Sequence, residues 1–224
     1  HSLALRVLAE RIRVYDVLLV GPGLGTEPTT KDFVSGLIHG RWQTGSKPIG
    51  FAVSDQDSGR PLSLPPLVLD ADALNLLAGL DLWWDHLPKE CVLTPHPGEM
   101  ARLLGCDLQT VQGDRIGTAR SAAMRWECTL VLKGAYSVVA SPEGKVMVIP
   151  FANPALATAG TGDVLAGVIL GLMAQGVPSF PAAVCGTYLH GLAAQNRGRE
   201  SGRVGMIASD LLPLLPLAVK QLGK

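Results

Sequence analysis

The chain has 224 residues, 47% of them hydrophobic and 17% charged, and its nineteen basic and nineteen acidic side chains cancel to zero net charge. A length of this order suits one domain over residues 1–224, or two small ones, with a core that needs no disulfide. The composition excludes a mainly disordered chain and gives no support to a broad basic surface for nucleic acid or anionic lipid. Glycine stands out, with 26 residues against an average of roughly 7%, and without a repeat to absorb them these glycines are expected to do specific backbone work.

In chain order, Leu3, Leu5, Leu8 and Ile12 with charges between them predict a short amphipathic helix. A strand over 15–20 follows, ending in Gly-Pro-Gly-Leu-Gly-Thr, and a helix over 29–38. Residues 40–66 break into glycine, proline and polar residues and read as a long irregular excursion. Residues 67–69 and 92–93 predict two more strands, each followed by a polar loop and a helix. A helix over 114–126, a strand over 129–132 and a hairpin pairing 137–140 with 145–149 come next. Helices over 164–174, 182–195 and 208–222 complete the reading. Strand–helix alternation predicts an α/β layered fold with a mainly parallel sheet.

The apolar run 164–174 has eleven residues, short of the ~20 that span a membrane. Arg6, Glu10, Arg11 and Arg13 interrupt the first apolar positions, so no signal-peptide core is present there. Cys91, Cys106, Cys128 and Cys185 lie far apart, without a Cys-x-x-Cys pair, and are expected as reduced thiols. A cytoplasmic protein is the resulting expectation. The chain opens on His1 in a helical pattern, as a fragment or processed chain would.

Each predicted strand ends in a conspicuous loop: 21–26, 70–75, 94–99 and 133–137. In open α/β sheets ligands bind beyond the carboxyl ends of the strands, so these loops are expected to share one rim. The segment Ala-Gly-Thr-Gly-Asp at 159–163 opens directly into an apolar helix. Two glycines before a helix N-terminus let amides point together at an anion. Asp163, at or near that helix's cap, is either an ordinary capping acid or a base for a hydroxyl that attacks a phosphoryl group. Lys133, His96, Glu99, Asp70, Asp72 and Asn75 each have an equally ordinary reading as strand-end, cap or turn residues; their convergence on one rim is what favours function.

Three other motifs fail. The 21–26 loop has Thr26 where a dinucleotide fingerprint needs its third glycine. Residues 40–47 approach a P-loop, but serine and lysine are in the wrong order and Pro48 follows. No Gly-x-Ser-x-Gly elbow occurs.

The segments VGPGLGT at 20–26, VLDADALNLLA at 68–78, LTPHPGEMARLLG at 93–105, VLKGAYSVV at 131–139 and NPALATAGTGDVLAGVILGLMAQG at 153–176 resemble the ADP/ATP-dependent NAD(P)H-hydrate dehydratases. The resemblance implies a ribokinase-like three-layer α/β/α fold, in which a nucleotide phosphorylates the hydroxyl of S-hydrated NADH or NADPH and loss of phosphate restores the ring double bond. It implies Asp163 as catalytic base, with Gly160, Thr161 and Gly162 stabilising the transferred group. It places adenine nucleotide, ADP or ATP, on Lys133, Gly134, Ala135, Tyr136, Ser137, Asn153, Thr158 and Gly162. It places the hydrate on Gly23, Gly25, Asp70, Asn75, His96, Pro97, Gly98, Glu99, Arg102 and Asp163.

Thr-Pro-His-Pro-Gly-Glu also resembles the Thr-Pro-Asn-x-x-Glu magnesium motif of related kinases, with His96 where asparagine is usual, and so implies Mg2+ near Glu99, directly or through water. The family resemblance further implies a homo-oligomer, a tetramer, and an epimerase domain or protein as functional partner. The family's N-terminal strand and glycine-containing loop have no counterpart before His1, and the 40–66 stretch is longer than its usual equivalent. A related small-molecule kinase sharing the Asp163 base, and a non-catalytic nucleotide-binding protein, are the competing readings.

Overall fold

The computed structural model describes residues 2–40, 64–201 and 205–223. Most of the 40–66 excursion, with the near P-loop inside it, lies outside them. The elements in order are α1 (Ser2–Arg11), β1 (Leu18–Val20), α2 (Pro28–His39), β2 (Leu67–Leu69), α3 (Asp72–Leu77), β3 (Cys91–Leu93), α4 (Pro97–Leu104), α5 (Leu108–Gly113), α6 (Arg115–Arg125), β4 (Thr129–Leu132), β5 (Val138–Ala140), β6 (Val146–Val148), α7 (Thr161–Ala174), α8 (Ser179–Ser201) and α9 (Leu215–Leu222).

The strands form one sheet in sequence order, with β1 to β4 parallel and β5 and β6 antiparallel. Side chains alternate between its faces. Leu67, Leu69, Cys91, Leu93, Leu130, Leu132, Val138 and Ala140 enter a core shared with α1 to α6. Val68, Val92, Val131 and Val139 enter a second core under α7 and α8. Both faces are therefore covered, as expected for a three-layer α/β/α sandwich, and the strands read as continuous apolar runs because neither face meets water. Each of those four valines is fully buried, worth roughly 1.5–3 kcal/mol apiece against leaving it exposed.

Several boundaries differ from the sequence reading. The first strand begins at Leu18, because residues 12–14 form a 3-10 turn that leaves Tyr15 exposed. A separate helix, α5, is capped by the Asp107 carboxylate accepting from Thr110 N–H at 2.7 Å. The last helix starts as a 3-10 segment over Ala208–Leu214, where Pro213 breaks the regular ladder. All four cysteines are free, and burial pushes the thiols of Cys91 and Cys128 up.

Candidate active site

The site begins where α7 begins. Its N-cap is Gly160, at φ +85°, and Thr161, Gly162 and Asp163 form its first turn. A residue with a Cβ is strained in that left-handed conformation, and glycine is not. The Thr161 N–H reaches the Thr158 carbonyl at 3.3 Å, whereas the amides of Gly162 and Asp163 meet no acceptor among the described residues. Two free amides at the positive end of a 14-residue helix make a ready anion site. The sequence puts Asp163 at or near the cap; it is the third helical residue, exposed, and makes no side-chain cap bond. Ordinary capping therefore does not explain this acid. The Thr161 hydroxyl, by contrast, is turned back on the Leu156 and Thr158 carbonyls at 2.7 and 2.8 Å, so Thr161 contributes backbone only.

Opposite this turn stands Lys133, at the end of β4. Its Nζ lies 2.6 Å from Asp70 Oδ1 and 3.8 Å from Glu99 Oε2. A Cβ built on Gly162 would sit 3.4 Å from Nζ and 3.8 Å from Asp70 Oδ2. The carboxyl end of β2, that of β4 and the first turn of α7 thus meet at one point. Asp70 is 1% exposed, and its Oδ2 is buried without a hydrogen-bond partner. Such an oxygen is costly unless something donates to it.

His96 and Glu99 form a reciprocal cap on α4. His96 Nδ1 accepts from the Gly98 and Glu99 amides at 2.9 and 3.2 Å, and Glu99 Oε2 accepts from His96 N–H at 2.7 Å. With Nδ1 accepting, the ring proton belongs on Nε2. Asparagine does the same capping with a shorter side chain, so a histidine at this position keeps the cap and adds a half-exposed ring edge.

A cleft of about 550 Å³ joins these parts, lined by Asp70, His96, Pro97, Lys133, the 152–163 segment and residues of α8. Gly134, Ala135, Ser137, Asn153, Thr158, Gly160, Thr161, Gly162 and Asp163 all line it, as the sequence reading expects. The Asn153 side chain caps the 3-10 turn over Pro154–Ala157 through Ala155 N–H and donates to the Ala194 carbonyl at 3.0 Å, so it shapes the wall.

Other expected residues stand outside that lining. Tyr136 is exposed at φ +54° and only its amide, bonded to the Phe151 carbonyl at 2.8 Å, faces inward. Asn75 and Arg102 are bonded to each other at 2.8 Å. The Gly25 amide is held by Asp72 Oδ2 at 2.8 Å, and Gly23 faces open space. Gly98 and Glu99 are absent from the lining and serve the α4 cap, Glu99 also lying 3.8 Å from Lys133 Nζ. Gly23, Gly25, Asn75 and Arg102 follow β1 to β3 and belong to the adjoining rim.

The sequence reading missed His190, Phe151 and Gly191, which complete the far wall. His190 is 6% exposed and its Nε2 has no partner. Burial, assisted by the charge of Lys133, lowers its pKa to about 4 against a backbone bond with Thr161. A lone histidine inside the apolar pattern of α8 carries no spacing signal that would single it out. Gly191 is needed because a Cβ there would sit 2.3 Å from the Phe151 ring.

For a cation, no group of three or more His, Cys, Asp or Glu side chains that could hold a metal occurs among the described residues. Glu99 is occupied by its cap and by Lys133. The unpartnered Asp70 Oδ2 and the exposed Asp163 carboxylate fit an ion that arrives with its own waters and phosphate ligands, the usual manner of Mg2+.

The NAD(P)H-hydrate dehydratase family model matches residues 3–217. The chain belongs to this family. Among hydrate-repair relatives, the bifunctional NAD(P)H-hydrate repair enzyme Nnr of Moorella thermoacetica is 44% identical over 221 residues, covering 98% of this chain and 37% of its own length. The ADP-dependent (S)-NAD(P)H-hydrate dehydratase of Neisseria meningitidis is 46% identical over 152 residues, covering 66% of this chain and 51% of that protein. The chain thus spans about a third to a half of these relatives.

The ADP/ATP-dependent NAD(P)H-hydrate dehydratase of Bacillus subtilis, co-crystallised with ATP and Mg2+, superposes with a TM-score of 0.71 at 30% identity, covering 92% of this chain and 64% of that one. The dehydratase fold and the three-layer sandwich of this chain are the same architecture. No described helix is long and apolar enough to cross a membrane.

Proposed function

We propose that the chain catalyses nucleotide-dependent dehydration of S-hydrated NADH or NADPH, restoring the reduced dinucleotide. The observation that carries this reading is the meeting of the free Gly162 and Asp163 amides with Lys133 inside the cleft. The terminal phosphoryl group of ADP or ATP rests at the α7 N-terminus, where amides and Lys133 face the charge that develops on transfer. Asp163 accepts the proton of the hydrate hydroxyl as its oxygen attacks phosphorus and the bond to the nucleotide breaks. The carbon–oxygen bond then breaks, inorganic phosphate leaves, and loss of a proton from the adjacent carbon restores the ring double bond.

Within this reading Gly134, Ala135 and Ser137 line the nucleotide end of the cleft, and His96 with Pro97 the hydrate end. Asn75, Arg102, Gly23 and Gly25 serve the outer part of the hydrate. Mg2+ fits as an ion carried by the nucleotide and reached through water by Asp70, Asp163 or Glu99; when bound it neutralises phosphate charge. A single ribokinase-like domain over residues 1–224, a cytoplasmic homo-oligomer, a tetramer, and an epimerase as partner belong to the same reading. The bifunctional name of the Moorella relative is in keeping with an epimerase partner.

The test is direct. Incubating the protein with S-hydrated NADH, Mg2+ and either ADP or ATP should regenerate the absorbance of NADH and release phosphate. Phosphorylation of a sugar or vitamin alcohol without any NADH regeneration would assign a kinase instead. Nucleotide binding without either reaction would assign a non-catalytic protein.

A further inference from the structure

Arg115, the first residue of α6, points its guanidinium under the 133–137 loop. Nη1 donates to the Ala135 carbonyl at 2.5 Å, and Nη2 donates to the Leu132 and Lys133 carbonyls at 3.1 and 3.2 Å. Three carbonyls on one guanidinium, with no ion pair to a carboxylate among the described residues, is a backbone clamp. Its planar fork of donors is the feature that lets one side chain hold several oxygens.

The clamp has a stereochemical consequence. A trans peptide is planar, with its C=O and N–H pointing in opposite directions. Drawing the Lys133 carbonyl down onto Arg115 therefore aims the Gly134 N–H away from Arg115. That amide has no backbone acceptor among the described residues, and Gly134 lines the cleft. Its neighbours are already fixed: Lys133 N–H is bonded to the Pro95 carbonyl at 2.9 Å, and Tyr136 N–H to the Phe151 carbonyl at 2.8 Å. Gly134 itself is at φ +141°, and a Cβ there would lie 2.9 Å from Nη2. Glycine is thus the residue that lets the guanidinium come this close while keeping the amide free.

We infer that Arg115 is a positioning residue that presents the Gly134 amide as a hydrogen-bond donor to a phosphate oxygen of the bound nucleotide. This rests on the proposal above that nucleotide occupies this cleft. Gly134 then forms a second anion-binding element, across the cleft from the first turn of α7 and independent of it. Lysine cannot substitute, because a single ammonium does not span three carbonyls in a fixed plane.

The experiment is ADP titration of the full chain by calorimetry and by amide NMR, with R115K, R115A and K133A beside the wild type. The Gly134 amide should shift strongly on ADP addition to the wild type. R115K and R115A should both weaken ADP binding by about tenfold, the usual worth of one lost hydrogen bond to a charged group. In turnover assays the variants should lose more in kcat/KM for ADP than in kcat at saturating ADP, the split expected of a residue that acts through nucleotide binding. An R115K that binds ADP as the wild type does would overturn the inference. So would an unshifted Gly134 amide in wild type that binds ADP, a readout that needs no variant to fold. Failure of the wild type to bind ADP at all would instead remove the nucleotide reading, and the inference with it.

Discussion

Lys133 Nζ is held 2.6 Å from Asp70 Oδ1, in a pair whose acid is buried and whose base keeps only 18% of its side chain exposed. The pair joins the ends of β2 and β4 across the intervening β3, and it faces the first turn of α7. Taking two charges out of water is expensive, and a buried pair repays this only while both partners are present. Asp70→Ala should therefore destabilise the fold by about 3 kcal/mol, read as a lower denaturant midpoint at unchanged slope. Adding Lys133→Met to Asp70→Ala should recover part of that loss, and a double variant as unstable as the sum of the singles would show the two residues to be uncoupled.

Asp163 has no structural duty in the α7 cap, so its removal should separate chemistry from folding. Asp163→Asn should keep the melting temperature and the ADP affinity of the parent while slowing NADH regeneration by about 10² to 10⁴ fold. Retained turnover would take Asp163 out of the base role.

Gly162 is helical, and a methyl group there meets Lys133 Nζ at 3.4 Å and little else. Gly162→Ala should leave stability unchanged or raise it by a few tenths of a kcal/mol, since alanine favours a helix. The same methyl group would occupy the space beside the free amides. ADP affinity should fall at least tenfold, measured by titration beside a thermal melt; unchanged affinity would show that phosphate does not approach along this face.

His190 gives the fold a pH dependence. Its pKa is lowered to about 4 in the folded chain from an ordinary 6.5, so between those values the unfolded chain binds more protons than the folded one. The stability it permits is fully present above pH 6.5 and declines as pH falls towards 4, by about 3 kcal/mol at most. Urea unfolding at pH 7.5 and pH 5 should show that decline, and His190→Gln should flatten it. Equal slopes of stability against pH in the two proteins would assign the acid sensitivity elsewhere.

The parts of this site visible in the sequence are those where backbone chemistry constrains residue type. Gly160 and Gly162 before an apolar helix, and Lys133 at a strand end before Gly134, stand out because few other residues suit those positions. The alternation of strand and polar loop places them on one rim. The far wall was not legible: His190 and Gly191 sit in a helix that is apolar on several sides, and they reach the cleft only because that helix packs against α7 and Phe151. Arg115 was invisible for a similar reason. It reads as one charge among many on α6, and its three carbonyl partners come from a strand end and loop some twenty residues away. Asp163 stands near the cap, as the sequence suggests, while Gly160 takes the cap position itself and leaves the acid free.

The 133–137 loop connects β4 to β5, which are hydrogen-bonded antiparallel neighbours. Its two ends are therefore pinned one strand spacing apart, about 5 Å, and it is a closed turn on a buried sheet. A wall anchored in this way cannot swing without unzipping the strands beneath it. The opposite wall, residues 152–160, rises from a short 3-10 turn and a left-handed glycine and has no strand under it. The two walls of the cleft thus differ in what holds them, one in the hydrogen bonds of the sheet and the other in side-chain bonds from Asn153 and Thr161.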